Sequence, residues 1–274
     1  SEKLEKTANK FLEPDHLIFA EIDEESEHGK QILDALKEAT VDALGYFLKP
    51  SELFSNLAKK GNAKVINQDD EEQIQSTFIL EDLAAVLSSI EKSTMGSESQ
   101  DDFDQLFYDI DLNSTKIGRT TKDRNDVIVK ILTELDAIDF NTESDVLGDA
   151  YEYLIAQFAE GAGQKAGEFY TPQQVSTILA KIVTTKKSKL KSVYDPTCGS
   201  GSLLLRVAKE VDGIDSVGHF YGQEQNRTTY NLARMNMILH DVNYHKFDIK
   251  HENTLEKPQH EGLKFEAIVS NPPF

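Results

Sequence analysis

The sequence predicts an α/β chain in two parts: an acidic helical N-terminal domain over 1–160, then a doubly wound parallel-sheet domain over 161–274. Three observations predict it. Before about residue 190 the apolar residues recur at helical spacing and strand signals are few. From 192 onward, short apolar runs alternate with amphipathic helical stretches, the strand-helix-strand pattern of a parallel sheet. The charge changes with the texture. Residues 1–160 carry 15 Lys and Arg against 36 Asp and Glu, a balance of −21, whereas 161–274 carry 14 against 12, or +2.

At 274 residues and 39% hydrophobic content the chain has room for about two domains with real cores. No apolar run of about 18 residues is present to span a membrane, and the opening Ser-Glu-Lys-Leu-Glu-Lys has no signal-peptide character. The single cysteine, Cys198, excludes an internal disulfide framework and fits a reducing compartment. His and Cys lack ligand spacing, so no structural metal is expected. The acidic first part repels nucleic-acid phosphate, so a protein of this charge working on DNA must take its grip from elsewhere.

In chain order, Ile32, Leu33, Leu36, Ala39, Ala43, Leu44 and Phe47 predict helix, broken and recapped at Pro50-Ser51 before "ELFSNLAKK". "QDDEEQ" (68–73) and "STMGSESQDD" (93–102) read as polar loops around the amphipathic "ILEDLAAVLSSIEK". Helices are expected over 101–110, 123–137 and 144–159, the last capped by Ser144. Thr171-Pro172 then signals a helix start, Thr being a favoured cap and Pro a favoured first residue. Strands are expected at 192–195, 219–224, "KFDIKHE" and 265–270, with helices "GSLLLRVAKE" and "RTTYNLARMNMILH" between them. The histidines 240, 245, 251 and 260 are expected at solvent-facing loop or helix-end positions.

The first strand runs into Asp195-Pro196-Thr197-Cys198-Gly199-Ser200-Gly201-Ser202. In an open α/β sheet, ligands lie beyond the carboxyl ends of the strands. Gly199 and Gly201 allow close approach of a ligand to the backbone, and would equally suit a plain tight turn. The second strand ends at Glu224, where a carboxylate suits a ribose diol. Asp195 would repel a pyrophosphate and suits an ammonium, or it caps the strand end. A ligand with a ribose, an ammonium and no phosphate is S-adenosylmethionine. Cys198 has no evident histidine partner and reads as a small turn residue.

The last expected strand ends in Ser270-Asn271-Pro272-Pro273-Phe274. Two prolines end a ladder and fix the backbone just past the strand, which also makes the segment readable as a simple strand breaker. Beside a methyl donor, the Asn271 side-chain oxygen and the Pro272 carbonyl could accept both hydrogens of a planar amino group such as that of adenine. Phe274 could stack on the base, which would have to be flipped out of a duplex.

"DPTCGSGSLLL", "NPPF" and the upstream "GEFYTP" resemble the cofactor motif, catalytic motif and cofactor-clasp segment of amino-group DNA methyltransferases. "LGDAYEYLIAQFA" and "ARMNMILHD" extend the likeness to the modification subunit of type I restriction-modification systems, in detail over about 145–274 and in general terms before that. The resemblance implies a Rossmann-like S-adenosylmethionine-dependent methyltransferase domain that transfers a methyl group to the N6 amino group of a flipped adenine. It implies that Asn271, Pro272, Pro273 and Phe274 form the catalytic tip. Gly199, Gly201, Asp195, Thr197 and Ser202 would line the cofactor, Glu224 would hold its ribose, and Glu168, Phe169, Tyr170 and Thr171 would close over its methionine end. Where the family shows Gly-Asp-Thr-Leu this chain has Glu252-Asn253-Thr254-Leu255, so Asn253 would accept from the cofactor's adenine amino group without charge.

The implied partners are DNA, a specificity subunit that reads the sequence, a restriction subunit and a second copy of the chain. The implied place is the cytoplasm of a bacterium or archaeon. The later strands and base-binding elements of such an enzyme are not in this sequence, which reads as a truncated domain. Two other readings use the same residues: a transferase acting on protein glutamine, and a cofactor-binding assembly subunit without activity.

Overall fold

The computed structural model describes residues 1–61, 64–66, 72–74, 78–138, 146–161 and 171–273. The chain divides into two compact units, Ser1–Asp139 and Phe140–Phe274.

The first unit holds helices α1 (Glu2–Leu12), α2 (Glu27–Leu44) and α3 (Phe54–Gly61), the strands β1 (Lys64–Ile66) and β2 (Glu72–Ile74), then helices α4 (Leu80–Ser93), α5 (Gln100–Phe103) and α6 (Thr121–Asp136). The helices begin and end where local chemistry dictates. Ser26 accepts from the Gly29 amide at 2.9 Å, and Gly45 closes α2 in the left-handed conformation with φ 90°. Thr120 and Asp123 form a reciprocal capping box on α6. Leu4, Ala8, Leu12, Phe19, Leu33 and Leu36 make one apolar cluster, and Leu57, Ile79, Leu80, Ile128, Val129 and Leu132 another. The buried Asn125 on α6 accepts from the Ile79 amide at 2.8 Å, which seats the start of α4.

Two expectations are corrected in this unit. β1 and β2 pair antiparallel, Val65 opposite Gln73, flanking a stretch whose polarity reads as loop alone. The helix expected over 101–110 stops at Phe103, because Asp104 turns extended and Gln105 takes a left-handed φ of 52°. Ser144, the expected cap of the next helix, lies outside the described residues.

The second unit contains α7 (Val146–Gly161), α8 (Gln173–Val183), β3 (Val193–Asp195), α9 (Ser202–Lys209), β4 (Phe220–Glu224), α10 (Arg227–Leu239), β5 (Phe247–His251) and β6 (Ala267–Ile268). The described strands of this sheet are parallel in the order β5-β4-β3-β6, with Tyr194 opposite Tyr221 and Ile268. The parallel α/β sheet expected from the alternating pattern is present. Val193, Phe220, Phe247, Ile249 and Ala267 bury one face of it in a common core with Leu203, Leu204, Ala233 and Met237 of α9 and α10. Tyr194, Tyr221, Phe265 and His260 stack together, with Tyr194 and Phe265 rings 4.5 Å apart.

Candidate active site

The strand order sets β3 between β4 and β6. From β3 the chain builds outward through β4 and β5 on one side, then crosses to the other side for β6. That reversal opens a crevice at the carboxyl ends of the strands, where ligands bind in open α/β sheets.

Asp195 ends β3 almost fully buried and accepts from the Thr197 amide at 3.0 Å. Burial pushes its carboxyl up to about 7, the Thr197 amide opposes the rise, and the neighbouring Glu224 charge adds to it. The turn continues through two left-handed residues, Gly199 at φ 56° and Gly201 at φ 77°, a conformation costing other residues about 1–2 kcal/mol. A Cβ on Gly201 would also lie 2.9 Å from the Met237 methyl group.

Cys198, just before Gly199, is buried over Gly222, and its amide donates to the Gln223 carbonyl at 3.0 Å. Burial holds its thiol well above the usual range, so it remains protonated at neutral pH. The Ser200 and Ser202 hydroxyls lie 3.0 Å apart, and Asn236 of α10 donates to the Ser200 carbonyl at 3.0 Å.

Glu224 ends β4 and joins three segments. One carboxylate oxygen accepts from the Gly199 amide at 3.1 Å and the other from the Asn226 amide at 2.8 Å. Burial raises its pKa while these amides pull it down. A third backbone donor, the Gln225 amide, also holds the carboxylate. Asn226 in turn caps α10 through the Thr229 amide at 3.1 Å.

The loop after β5 is pinned from below by Gln223, which is fully buried. Its Nε2 donates to the Glu252 and Lys257 carbonyls at 3.1 and 3.0 Å, and its Oε1 accepts from the Gln259 amide at 3.0 Å. The Thr254 hydroxyl donates to the Pro196 carbonyl, tying this loop to the turn after β3. Asn253 Oδ1 accepts from the Leu255 amide at 3.0 Å.

Past β6 the Val269 amide still donates to the Tyr194 carbonyl at 2.9 Å, and the Ser270 hydroxyl lies 2.8 Å from that of Thr197. Asn271 follows, its Nδ2 donating to Thr171 Oγ1 at 3.2 Å. The expected capping role of Thr171 is thereby corrected. Helix α8 starts after Pro172, whose carbonyl receives the Ser176 amide, and the Thr171 hydroxyl is turned to Asn271. Pro272 and Pro273 are exposed beyond it.

The structure thus joins Asp195, Thr197 and Ser270 in one network, Gly199 with Glu224 in a second and Thr171 with Asn271 in a third. Glu168, Phe169, Tyr170 and Phe274 lie outside the described residues. His240 and His260 are buried rather than solvent-facing, and the His260 ring nitrogen lies 3.0 Å from the Gly222 carbonyl. Sequence reasoning missed Gln223, Thr254 and Ser270 as tethers; the position of Gln223 at a strand tip was the one available signal. Among the described residues, no group of three or more His, Cys, Asp and Glu is placed to hold a metal ion. The crevice therefore offers carboxylates, backbone amides, hydroxyls and carboxamides. That set suits a cation and a diol and disfavours a pyrophosphate.

Residues 142–274 match the N-6 DNA Methylase family. The chain is 39% identical over 259 residues to the type I restriction enzyme MpnII methylase subunit of Mycoplasma pneumoniae, covering 89% of this chain and 46% of that protein. It is 32% identical over 134 residues to the HindI methylase subunit of Haemophilus influenzae, covering 47% of this chain and 29% of that protein. Among solved structures, the methyltransferase subunit of the type I restriction-modification system of Streptococcus thermophilus aligns with a TM-score of 0.74 at 33% identity, over 99% of this chain and 56% of its own. The chain spans about half the length of the Mycoplasma protein and of the solved one.

Proposed function

Because residues 142–274 match the N-6 DNA Methylase family, we propose that this chain is part of the modification subunit of a type I restriction-modification system. Its reaction is methyl transfer from S-adenosylmethionine to the N6 amino group of an adenine flipped out of DNA. The observation that carries the reading is the 2.8 Å contact between Ser270 and Thr197. It draws the Asn271 segment to the same turn whose glycines and acidic neighbours suit the cofactor.

The residues fit that cofactor. Asp195 in its ionised form suits the ammonium, the Glu224 carboxylate suits the ribose hydroxyls, and the left-handed glycines carry the backbone through the turn beside them. Thr197, Ser202 and Asn253 complete the wall, and Glu168, Phe169, Tyr170 and Thr171 are assigned to the clasp. When bound, S-adenosylmethionine supplies an electrophilic methyl group.

The adenine amino group is a poor nucleophile because its lone pair is delocalised into the ring. Asn271 Oδ1 and the Pro272 carbonyl accept its two N–H groups, which favours a pyramidal nitrogen with the lone pair directed outward. Acceptors fixed in this way act on charge that develops in the transition state. Phe274 stacks on the flipped base, and Pro273 keeps the tip stiff.

The −21 balance of residues 1–160 supports assembly rather than DNA contact for the first part. A specificity subunit would hold the DNA, with a restriction subunit and a second copy of this chain completing the complex inside the cell. Among the described residues no helix is long and apolar enough to cross a membrane.

The test uses the full-length protein with its specificity subunit. Asn271→Ala is expected to lower methyl transfer to adenine by about 10²–10³-fold while S-adenosylhomocysteine binds as before. Methylation at the parental rate would remove Asn271 from the chemistry.

A further inference from the structure

We propose that Ser270 couples the β3 tip to the Asn271 segment: through the hydroxyl contact of Ser270 with Thr197 and Asp195, an ammonium seated at Asp195 tightens the segment that bears Asn271. The inference rests on the reading of the crevice as an S-adenosylmethionine site and extends it to a link between the two halves of that site.

Backbone pairing gives out just before this segment. The Val269 amide, one residue past β6, donates to the Tyr194 carbonyl at 2.9 Å. Beyond it Pro272 and Pro273 have no N–H to give, and side chains hold the chain instead. Ser270 Oγ lies 2.8 Å from Thr197 Oγ1, and Asn271 Nδ2 donates to Thr171 Oγ1 at 3.2 Å. Asp195, almost fully buried, accepts from the Thr197 amide at 3.0 Å and lies within hydrogen-bond reach of the Thr197 and Ser270 hydroxyls.

The hydrogens decide how these three groups are joined. Each hydroxyl has one to donate. With the oxygens 2.8 Å apart, one hydrogen lies between them and the other is left for the carboxyl group. Ser270 therefore reaches Asp195 either directly or through Thr197, and in both orders a change at Asp195 is felt one residue before Asn271. Burial raises the Asp195 carboxyl to about 7, so near neutrality a large share of it keeps its proton and its bonds to the hydroxyls are neutral ones. An ammonium beside it holds it ionised, and hydrogen bonds to an ionised acceptor are roughly twice as strong. An uncharged occupant leaves them as they were.

Hydrogen exchange on the full-length protein reads the coupling with two ligands that differ in the ammonium. S-adenosylhomocysteine carries it; methylthioadenosine keeps the ribose and base and lacks the amino-acid part. In the parent, S-adenosylhomocysteine is expected to slow exchange at the Ser270 and Asn271 amides by roughly 3–10-fold, the strengthening of one hydrogen bond by charge. Methylthioadenosine should protect the Gly199 amide and leave those two unchanged. Ser270→Ala should keep the protection of Gly199 by S-adenosylhomocysteine and lose that of Asn271, and Ser270→Thr, which retains the hydroxyl, should restore it. Protection of Asn271 that persists in Ser270→Ala, or that methylthioadenosine brings about equally well, overturns this inference and leaves the cofactor assignment standing. So does a parent protected at Gly199 but not at Asn271. A parent that fails to bind S-adenosylhomocysteine overturns both.

Discussion

The Gly199 amide donates to the Glu224 carboxylate at 3.1 Å, so the turn after β3 and the tip of β4 are held by one side chain. A ligand bound at Glu224 therefore meets a carboxylate already oriented by the Gly199, Gln225 and Asn226 amides, and little ordering remains to be done on binding. Glu224→Ala is expected to weaken S-adenosylhomocysteine binding by roughly 1.5–3 kcal/mol, the range for hydrogen bonds to a charged group. Titration calorimetry checks this; an unchanged affinity would take Glu224 out of the cofactor site.

Asp195 gives a pH dependence with a definite sign. Its carboxyl stands at about 7 in the fold against an ordinary value of 3.8, burial being the main cause. Between those values the folded state keeps a proton that the unfolded state has lost, so stability falls as pH rises from about 4 to about 7 and then levels. Asp195→Asn removes that penalty. The variant should gain on the parent progressively over this window, by a few kcal/mol at most above it. Thermal unfolding at pH 5 and pH 8 measures the difference, and a gap that does not widen with pH would count against a protonated Asp195.

Gln223→Leu removes the partners of two carbonyls and one amide in the loop that follows β5. Stranded polar groups of this kind cost about 1–3 kcal/mol. Hydrogen exchange should accelerate at residues 252–259 while α9 keeps its protection. Unchanged exchange in that loop would show that Thr254 holds it alone.

Thr171 accepts from Asn271 Nδ2, and in the proposed reaction this bond leaves Oδ1 of the amide for the substrate. Thr171→Val should lower kcat of the full-length protein with its partner by about 5–10-fold, the worth of one oriented hydrogen bond. Thr171→Ser should restore it, with cofactor affinity little changed in both. A loss confined to cofactor affinity would mean that the hydroxyl serves the cofactor instead.

The residues that organise the crevice differ in how far the sequence reveals them. Strands near 193–195 and 220–224 are legible because short β-rich runs end in turn residues, and Gly199 and Gly201 mark the turn by composition alone. Asn271 is marked by the prolines after it. Gln223 is marked only by its place at a strand tip, and a glutamine there is ordinary until its partners at 252, 257 and 259 are folded over it. Burial of His240 and His260 depends in the same way on packing from distant segments. The pairing of Lys64–Ile66 with Glu72–Ile74 is too short to register as periodicity. Gln105 halts its helix by a backbone conformation that no residue type in the stretch announces.

The position of β3 between β4 and β6 also sets an order of assembly. Strands β3, β4 and β5 come from the continuous stretch 193–251, and their pairing needs only successive right-handed crossovers. β6 must return past all of them to the opposite edge of β3, from residue 267. As a chain emerging N-terminus first tends to fold in units as they appear, the three-stranded half can form before Asn271 has left the ribosome. The turn after β3 is then the template on which the Asn271 segment is laid, and an error in that template leaves the segment without a seat.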